Sequence, residues 1–289
     1  MEYIDLTRFL LAFFCGYFIC LSGTLTQLIS NNPLASPSTL GMDGFAVLFV
    51  IISQLIITFF GVETDLIGLS MRFFLLFFVL LIIFPSKKTR EVWDILEIRN
   101  IIILGITFNL FVGAVFTILQ FLFLAYNFEF PTGLWFGSLK IYTDSAIYIF
   151  VLLFIFVKFF LFTQSQKLQF LNLGRSFATS MGVDIVKTQK RALLLSLFLT
   201  GFVINFFGVF SFLGLILPHI LRRLKWFRID MRKEIMYAPY LAGSLIALLD
   251  WACYYFTING AELPVGMVSG ILGSFLLIGL SIKSGFRRA

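Results

Sequence analysis

Two ionisable side chains stand where a charge is expensive. Asp250 lies in the apolar run LLDWACYYF, from Leu248 to Phe256, and Lys158 lies in the apolar run 145–162. A charge at the centre of a membrane-length helix costs about 2.5–3.5 kcal/mol on insertion scales, so such residues are functional by default. Asp250 suits either hydrogen bonding to neighbouring helices or a place on a pathway, and the sequence leaves both open. The single histidine, His219, follows Pro218 in LILPHI. At the end of a short helix an imidazole favours the helix dipole and caps carbonyls, which is a structural use. Cys15, Cys20 and Cys253 sit inside apolar runs without a C-x-x-C pair. They read as small buried apolar residues, and no metal site is expected, because soft-ligand sites need several converging Cys or His. No G-x-x-x-x-G-K-[ST] motif occurs, so the chain is not expected to hydrolyse ATP itself. With no paired proton relay and no catalytic His/Ser set, a secondary transporter and an intramembrane enzyme are both disfavoured.

The elements that hold these residues follow from composition. The 289 residues are 60% hydrophobic and 13% charged, with a mean hydropathy of +0.99 and 39 Phe. Ordinary globular chains are about 45–50% apolar and about 25% charged. This excludes a soluble domain, a disordered chain, a disulfide scaffold and a nucleic-acid-binding module. The fold class is all-α, a single polytopic membrane bundle over 1–289, embedded in the lipid bilayer. A span needs about 20 apolar residues. Nine segments result: 9–29, 41–61, 66–84, 101–125, 145–162, 192–208, 210–221, 238–257 and 263–282. The seventh is too short to span and follows the sixth after Gly208–Val209, so a broken helix is expected there. The first run is too long for a removable signal peptide.

Charge sets the orientation. The connections that follow alternate segments, with the C-terminus, carry 18 Lys and Arg, while the other side carries only Arg8, Arg72 and Lys140. The positive-inside rule makes the richer side and the C-terminus cytoplasmic and the N-terminus external. Seven acidic residues, Glu2, Asp5, Glu63, Asp65, Glu129, Asp144 and Glu262, fall on the outer side, which agrees with this orientation. The longest polar stretch is the cytoplasmic loop 163–191, which Gly174 and Gly182 break into short helical pieces. Phe177 and Met181 give it an apolar helical spacing that suits a connector or a docking surface for a soluble partner.

Four stretches in order carry a family pattern: GTLTQLISNNPLASPSTLG from Gly23, LGRSFATSMGVD from Leu173, FGVFSFLGLILPHILRRL from Phe207, and AELPVGMVSGILGSFLLIGL from Ala261. With WFGSL at Trp135–Leu139, the whole chain resembles the permease subunits of ABC importers for iron-siderophores, haem and vitamin B12. The resemblance implies no cofactor. It places Asn32, Pro33, Pro218 and His219 at a cytoplasmic gate or turn. It makes Leu173, Gly174, Ala178, Gly182 and Val183 the surface that contacts ATPase subunits, with Ala178 offering a small face to a partner groove. It lines the translocation pathway with Asn109, Gly113, Gly266, Ser269 and Gly273, although helix packing explains these small residues equally well.

The departures are specific. Arg175 stands where the family has an acidic residue. Tyr254 replaces an arginine, and Asp5-Leu6-Thr7-Arg8 replaces R-L-P-R. Of three arginines that receive glutamates of a substrate-binding protein in the family, only Arg8 remains. A heterodimer whose other permease supplies the arginines accounts for this. The resemblance also implies a further helix ahead of Met1, giving ten; either a misplaced start or a truncated, nine-helix variant accounts for its absence here, and nine agrees with the external N-terminus. The resemblance therefore implies an iron-siderophore importer permease of a bacterial cytoplasmic membrane, with haem or cobalamin as alternative cargo. Its partners would be a second permease, two ATPases and an extracytoplasmic binding protein.

Overall fold

A computed structural model describes residues 2–61, 65–83, 98–126, 136–139, 146–210, 212–224, 230–258 and 261–285. Trp135, Lys140, Ser211 and several of the counted charges, among them Lys87, Lys88, Arg90, Lys225, Arg228, Arg287 and Arg288, lie outside the described residues. Ten helices occur among those described: α1 Glu2–Ser30, α2 Met42–Phe60, α3 Leu66–Ile83, α4 Ile98–Ala125, α5 Ala146–Asn172, α6 Arg175–Ser180, α7 Ile185–Phe207, α8 Leu213–Leu221, α9 Met231–Tyr255 and α10 Val265–Gly285. Two-residue strands, β1 (Thr257–Ile258) and β2 (Ala261–Glu262), pair antiparallel between α9 and α10. Six helices are long and apolar enough to cross a membrane, and the described apolar parts of α3 and α10 are shorter. Helices are the expected solution, since every backbone polar group in lipid must be satisfied within its own segment.

The nine apolar segments each became a helix, and α6 is the tenth. Two boundaries differ from the sequence reading. The fifth segment continues as helix to Asn172, and α7 begins at Ile185, so the connection that holds α6 runs only from 173 to 184. Polar residues after 162 kept helical geometry because nothing before Gly174 breaks the chain. The seventh segment is the broken one expected: α8 has nine residues, and the chain enters it through Gly208 (φ 85°) and Phe212 (φ 64°).

α1 runs through the centre. Leu11, Ala12, Cys15, Tyr17, Phe18, Cys20, Leu21 and Leu25 are fully buried against α9, α7, α8 and α5. A Cβ on Gly23 would collide with the carbonyl of Gly214, so these two glycines let α1 and α8 touch backbone to backbone. A polar seam joins α1 to α7: Thr200 Oγ1 donates to Ser22 Oγ at 2.8 Å, and Thr26 Oγ1 to Ser196 Oγ at 3.2 Å. By contrast α4 is largely exposed and packs chiefly on α2 through Val112 and Phe116.

Candidate functional site

The bundle presents two ends, one bearing α6 and one bearing Arg8. At the α6 end the connection 173–184 is built by two glycines with left-handed backbone, Gly174 at φ 121° and Gly182 at φ 74°. A Cβ would be strained at both. They bracket a helix of six residues, and the Asp184 carboxylate accepts from the Lys187 N–H at 3.0 Å to cap the next one. Ala178 is fully buried and Val183 is buried, so neither offers a surface. This corrects the expectation that Ala178 faces a partner: its small side chain packs α6 against its own chain. The exposed face is instead Leu173, Phe177, Met181 and Val186, next to Arg175 and Lys187. The helical spacing of Phe177 and Met181 was the signal for it.

At the same end, beside Asn172, lies a polar cavity of about 270 Å³ lined by Gln27, Asn31, Asn32, Asn172, Arg222 and Glu234, with Leu28, Pro33 and Met231. Two proline turns shape its edge. Ala35 N donates to the Asn32 carbonyl at 3.1 Å and Leu34 N to Asn32 Oδ1 at 2.9 Å. Then Ser36 and Thr39 bond each other's backbone N–H. Asn and Ser before Pro favour this geometry, because pre-proline residues avoid the helical region. Arg222 Nε donates to Glu234 Oε1 at 2.6 Å, and its Nη1 to Gln27 Oε1 at 2.6 Å. The Gln27 amide in turn donates to the Leu215 carbonyl at 3.2 Å. One arginine thereby ties α8, α9 and α1. Pro218 is buried inside α8. His219 makes no side-chain hydrogen bond among the described residues, and backbone N–H groups of Arg222, Arg223 and Leu224 close the α8 carbonyls instead. Burial, then Arg223 and Arg222, hold its imidazole below the usual range. The capping role expected of His219 is therefore not what the structure uses.

The Arg8 end holds a second arginine cluster. Arg8 Nε donates to Asp250 Oδ2 at 2.7 Å and its Nη2 to Asp250 Oδ1 at 3.0 Å, a bidentate pair. Its Nη1 donates to Glu262 Oε2 at 2.8 Å, and the Tyr254 ring lies 5.0 Å from the guanidinium carbon. The side chains of Arg8 and Asp250 are 12% and 3% exposed. Of the two readings of Asp250, the ion pair across helices is the one present. The sequence reading missed that Arg8 and Asp250 are partners, since 242 positions separate them. It also placed Arg8 outward for docking, whereas its guanidinium is committed inward.

The five pathway candidates are placed as follows. Asn109 on α4 accepts from Gly44 N at 2.7 Å and donates to the Ser38 carbonyl at 2.6 Å, pinning the start of α2. Gly113 is partly exposed on the same helix. Gly266 N donates to the Gly137 carbonyl at 2.9 Å, and a Cβ there would strike the Phe136 carbonyl. Gly273 packs on Ile216 and Phe212 of the broken helix, and Ser269 is buried with its hydroxyl on the Gly266 carbonyl. The α10 residues thus seat that helix on α8 and the loop at 136–137.

Known proteins of this architecture resemble the chain along its length. It is 26% identical over 289 residues to the vitamin B12 import system permease protein BtuC of Vibrio vulnificus, covering 97% of this chain and 82% of that protein. It is 28% identical over 288 residues to the hemin transport system permease protein HmuU of Yersinia pestis, covering 99% and 84%. A solved structure described as an inward-facing conformation of a metal-chelate type ABC transporter shares the fold, with a TM-score of 0.72, 22% identity, and coverage of 96% and 85%. A family model matches residues 2–283, and the chain belongs to the FecCD transport family.

Proposed function

We propose that this chain is the membrane-spanning subunit of an ATP-driven importer that carries a ferric siderophore across a bacterial cytoplasmic membrane. The observation that carries the reading is the exposed apolar patch around α6, Leu173, Phe177, Met181 and Val186, built on Gly174 and Gly182 at the end of membrane-length helices. Two separate ATPase subunits dock there and supply the hydrolysis. The α6 end is cytoplasmic, which agrees with its positive charges, and the N-terminus is external. A second permease subunit packs on the exposed face of α4, where Gly113 borders the pathway. An extracytoplasmic binding protein delivers cargo to the Arg8 end. There Arg8 acts by holding the β1–β2 hairpin beside α1, and the arginines that meet the binding protein come from a different, partner permease. ATP binding couples the two ends by switching the pair between two states.

Two experiments test this. Gly182→Trp forces a bulky residue into φ 74°, and loss of ATPase co-purification is expected; an undiminished complex would refute docking on α6. Titration of the cognate binding protein with a ferric siderophore, haem and cobalamin tests cargo. The ferric siderophore is expected to bind. Binding of haem or cobalamin alone overturns the cargo while leaving the permease reading intact.

A further inference from the structure

Lys158 of α5 points into a crevice against α1 and α9. Its Nζ lies 4.2 Å from the Tyr240 ring centroid and 5.6 Å from those of Tyr17 and Phe154. No carboxylate pairs with it among the described residues. Lys158 lies 12 residues into α5, about 18 Å along the helix at 1.5 Å per residue. Lys158 itself is four residues from the end of its apolar run. The Tyr17 ring that its Nζ faces lies nine residues after Arg8 and ten before Gln27 on α1, midway between the two arginine clusters. That is mid-membrane depth in a core about 30 Å thick. Ring faces answer the charge but not its three N–H donors. The Tyr17 hydroxyl, in the wall of the same cage, is fully buried and has no hydrogen-bond partner. The Lys158 ammonium therefore faces rings and a buried hydroxyl, with no anionic acceptor among the described residues.

Lys158 is half-buried, and the crevice is open on one side. Exposed Ile155, Phe159 and Phe162 flank it on α5, and exposed Tyr237, Leu241 and Leu245 flank it on α9. Those stripes follow helical spacing, and the groove is the apolar surface of α5 and α9 on either side of Lys158, which suits an apolar helix. We propose that the groove receives a transmembrane helix of a partner protein that carries an aspartate or glutamate at mid-membrane depth, facing Lys158. Intramembrane charges characteristically pair with one another, and a helix brings a carboxyl to this depth with its own backbone satisfied. A phospholipid phosphate lies outside the hydrocarbon core. A second copy would bring Asp250 as its intramembrane acid, and that carboxylate is already held by Arg8.

The test uses the full chain in nanodiscs and two fluorescent polyleucine transmembrane peptides, one with a central Asp and one with Leu in its place. The Asp peptide is expected to bind about tenfold more tightly, equivalent to about 1.4 kcal/mol. Lys158→Met is expected to abolish the difference and Lys158→Arg to retain it, with each variant checked for unchanged helicity and elution. Equal binding of the two peptides to the wild-type chain overturns the proposal, as does a preference that survives in Lys158→Met. Native mass spectrometry adds a second readout. Retention of phosphatidylglycerol by wild type and its loss from Lys158→Met, without peptide discrimination, makes the occupant a lipid and also overturns it. Should Lys158→Met fail to fold, Tyr240→Leu replaces it, with a reduced peptide preference expected and an unchanged one counting against the site.

Discussion

The two arginine clusters at opposite ends of the bundle share a helix pair and differ in surroundings. Both tie α1 to α9. At the Arg8 end one guanidinium serves two carboxylates, bidentate to Asp250, with Tyr254 against it and only about 30 Å³ of free space beside it. At the α6 end Arg222 serves one carboxylate through a single bond and a neutral amide, and it opens on about 270 Å³. A bidentate fork fixes geometry as well as charge, whereas a single contact tolerates rotation. One end of the α1–α9 pair is clamped shut, and the other is joined beside a polar space that water can fill. Movement of α1 against α9 is thus cheaper at the α6 end, next to the surface proposed to receive the ATPases.

The sharpest way to break this contrast is Arg8→Ala. It strands Asp250, which is 3% exposed, without a counter-charge. Removing one partner of a buried pair costs about 3–5 kcal/mol. A large fall in the unfolding free energy in mixed micelles is expected, together with loss of folded yield. Arg8→Lys restores only part, since an ammonium cannot form the fork and reach Glu262 together. A loss below 1 kcal/mol for Arg8→Ala would mean that the clamp is not what joins these helices.

The fold was legible because its signal is local. Eight long apolar runs and a ninth, shorter one, Gly208 before the break, and Gly174 and Gly182 around α6 each act over a few residues. What stayed hidden was contact between distant segments. Arg8 and Asp250 were both singled out, one as an outward docking residue and the other as an intramembrane acid, yet nothing in the spacing joined them. Ala178 shows a second limit. A small residue suits a partner groove and an internal contact equally, and only packing distinguishes them. The spacing of Gly266 and Gly273 suits a pathway and helix packing equally, and the structure uses both to seat α10 on α8 and the loop at 136–137.

A smaller effect is expected at the other cluster. Arg222→Ala leaves Glu234, whose side chain is 3% exposed, without its guanidinium, but truncating Arg222 enlarges the cavity that both residues line and so lets water reach the carboxylate. A hydrogen bond to a charged group is worth about 1.5–3 kcal/mol, and a loss in that range, below that of Arg8→Ala, is expected in the same unfolding measurement. Glu234→Gln keeps an acceptor for Arg222 and should lose less. If Arg222→Ala matches or exceeds Arg8→Ala, the asymmetry between the two ends is wrong.

The smallest effect sharpens the comparison. Tyr254 covers Arg8 with its ring, and no aromatic ring contacts the Arg222 guanidinium among the described residues. A cation–π contact at a partly exposed site is worth about 0.5–1 kcal/mol. Tyr254→Leu keeps apolar bulk and removes the ring, so a loss of that size is expected. It should vanish when Arg8 is already Met, because the ring then has no cation to cover. A double-mutant cycle in mixed micelles measures that coupling directly. Coupling near zero would reduce Tyr254 to packing and leave the ion triad alone to account for the tighter end.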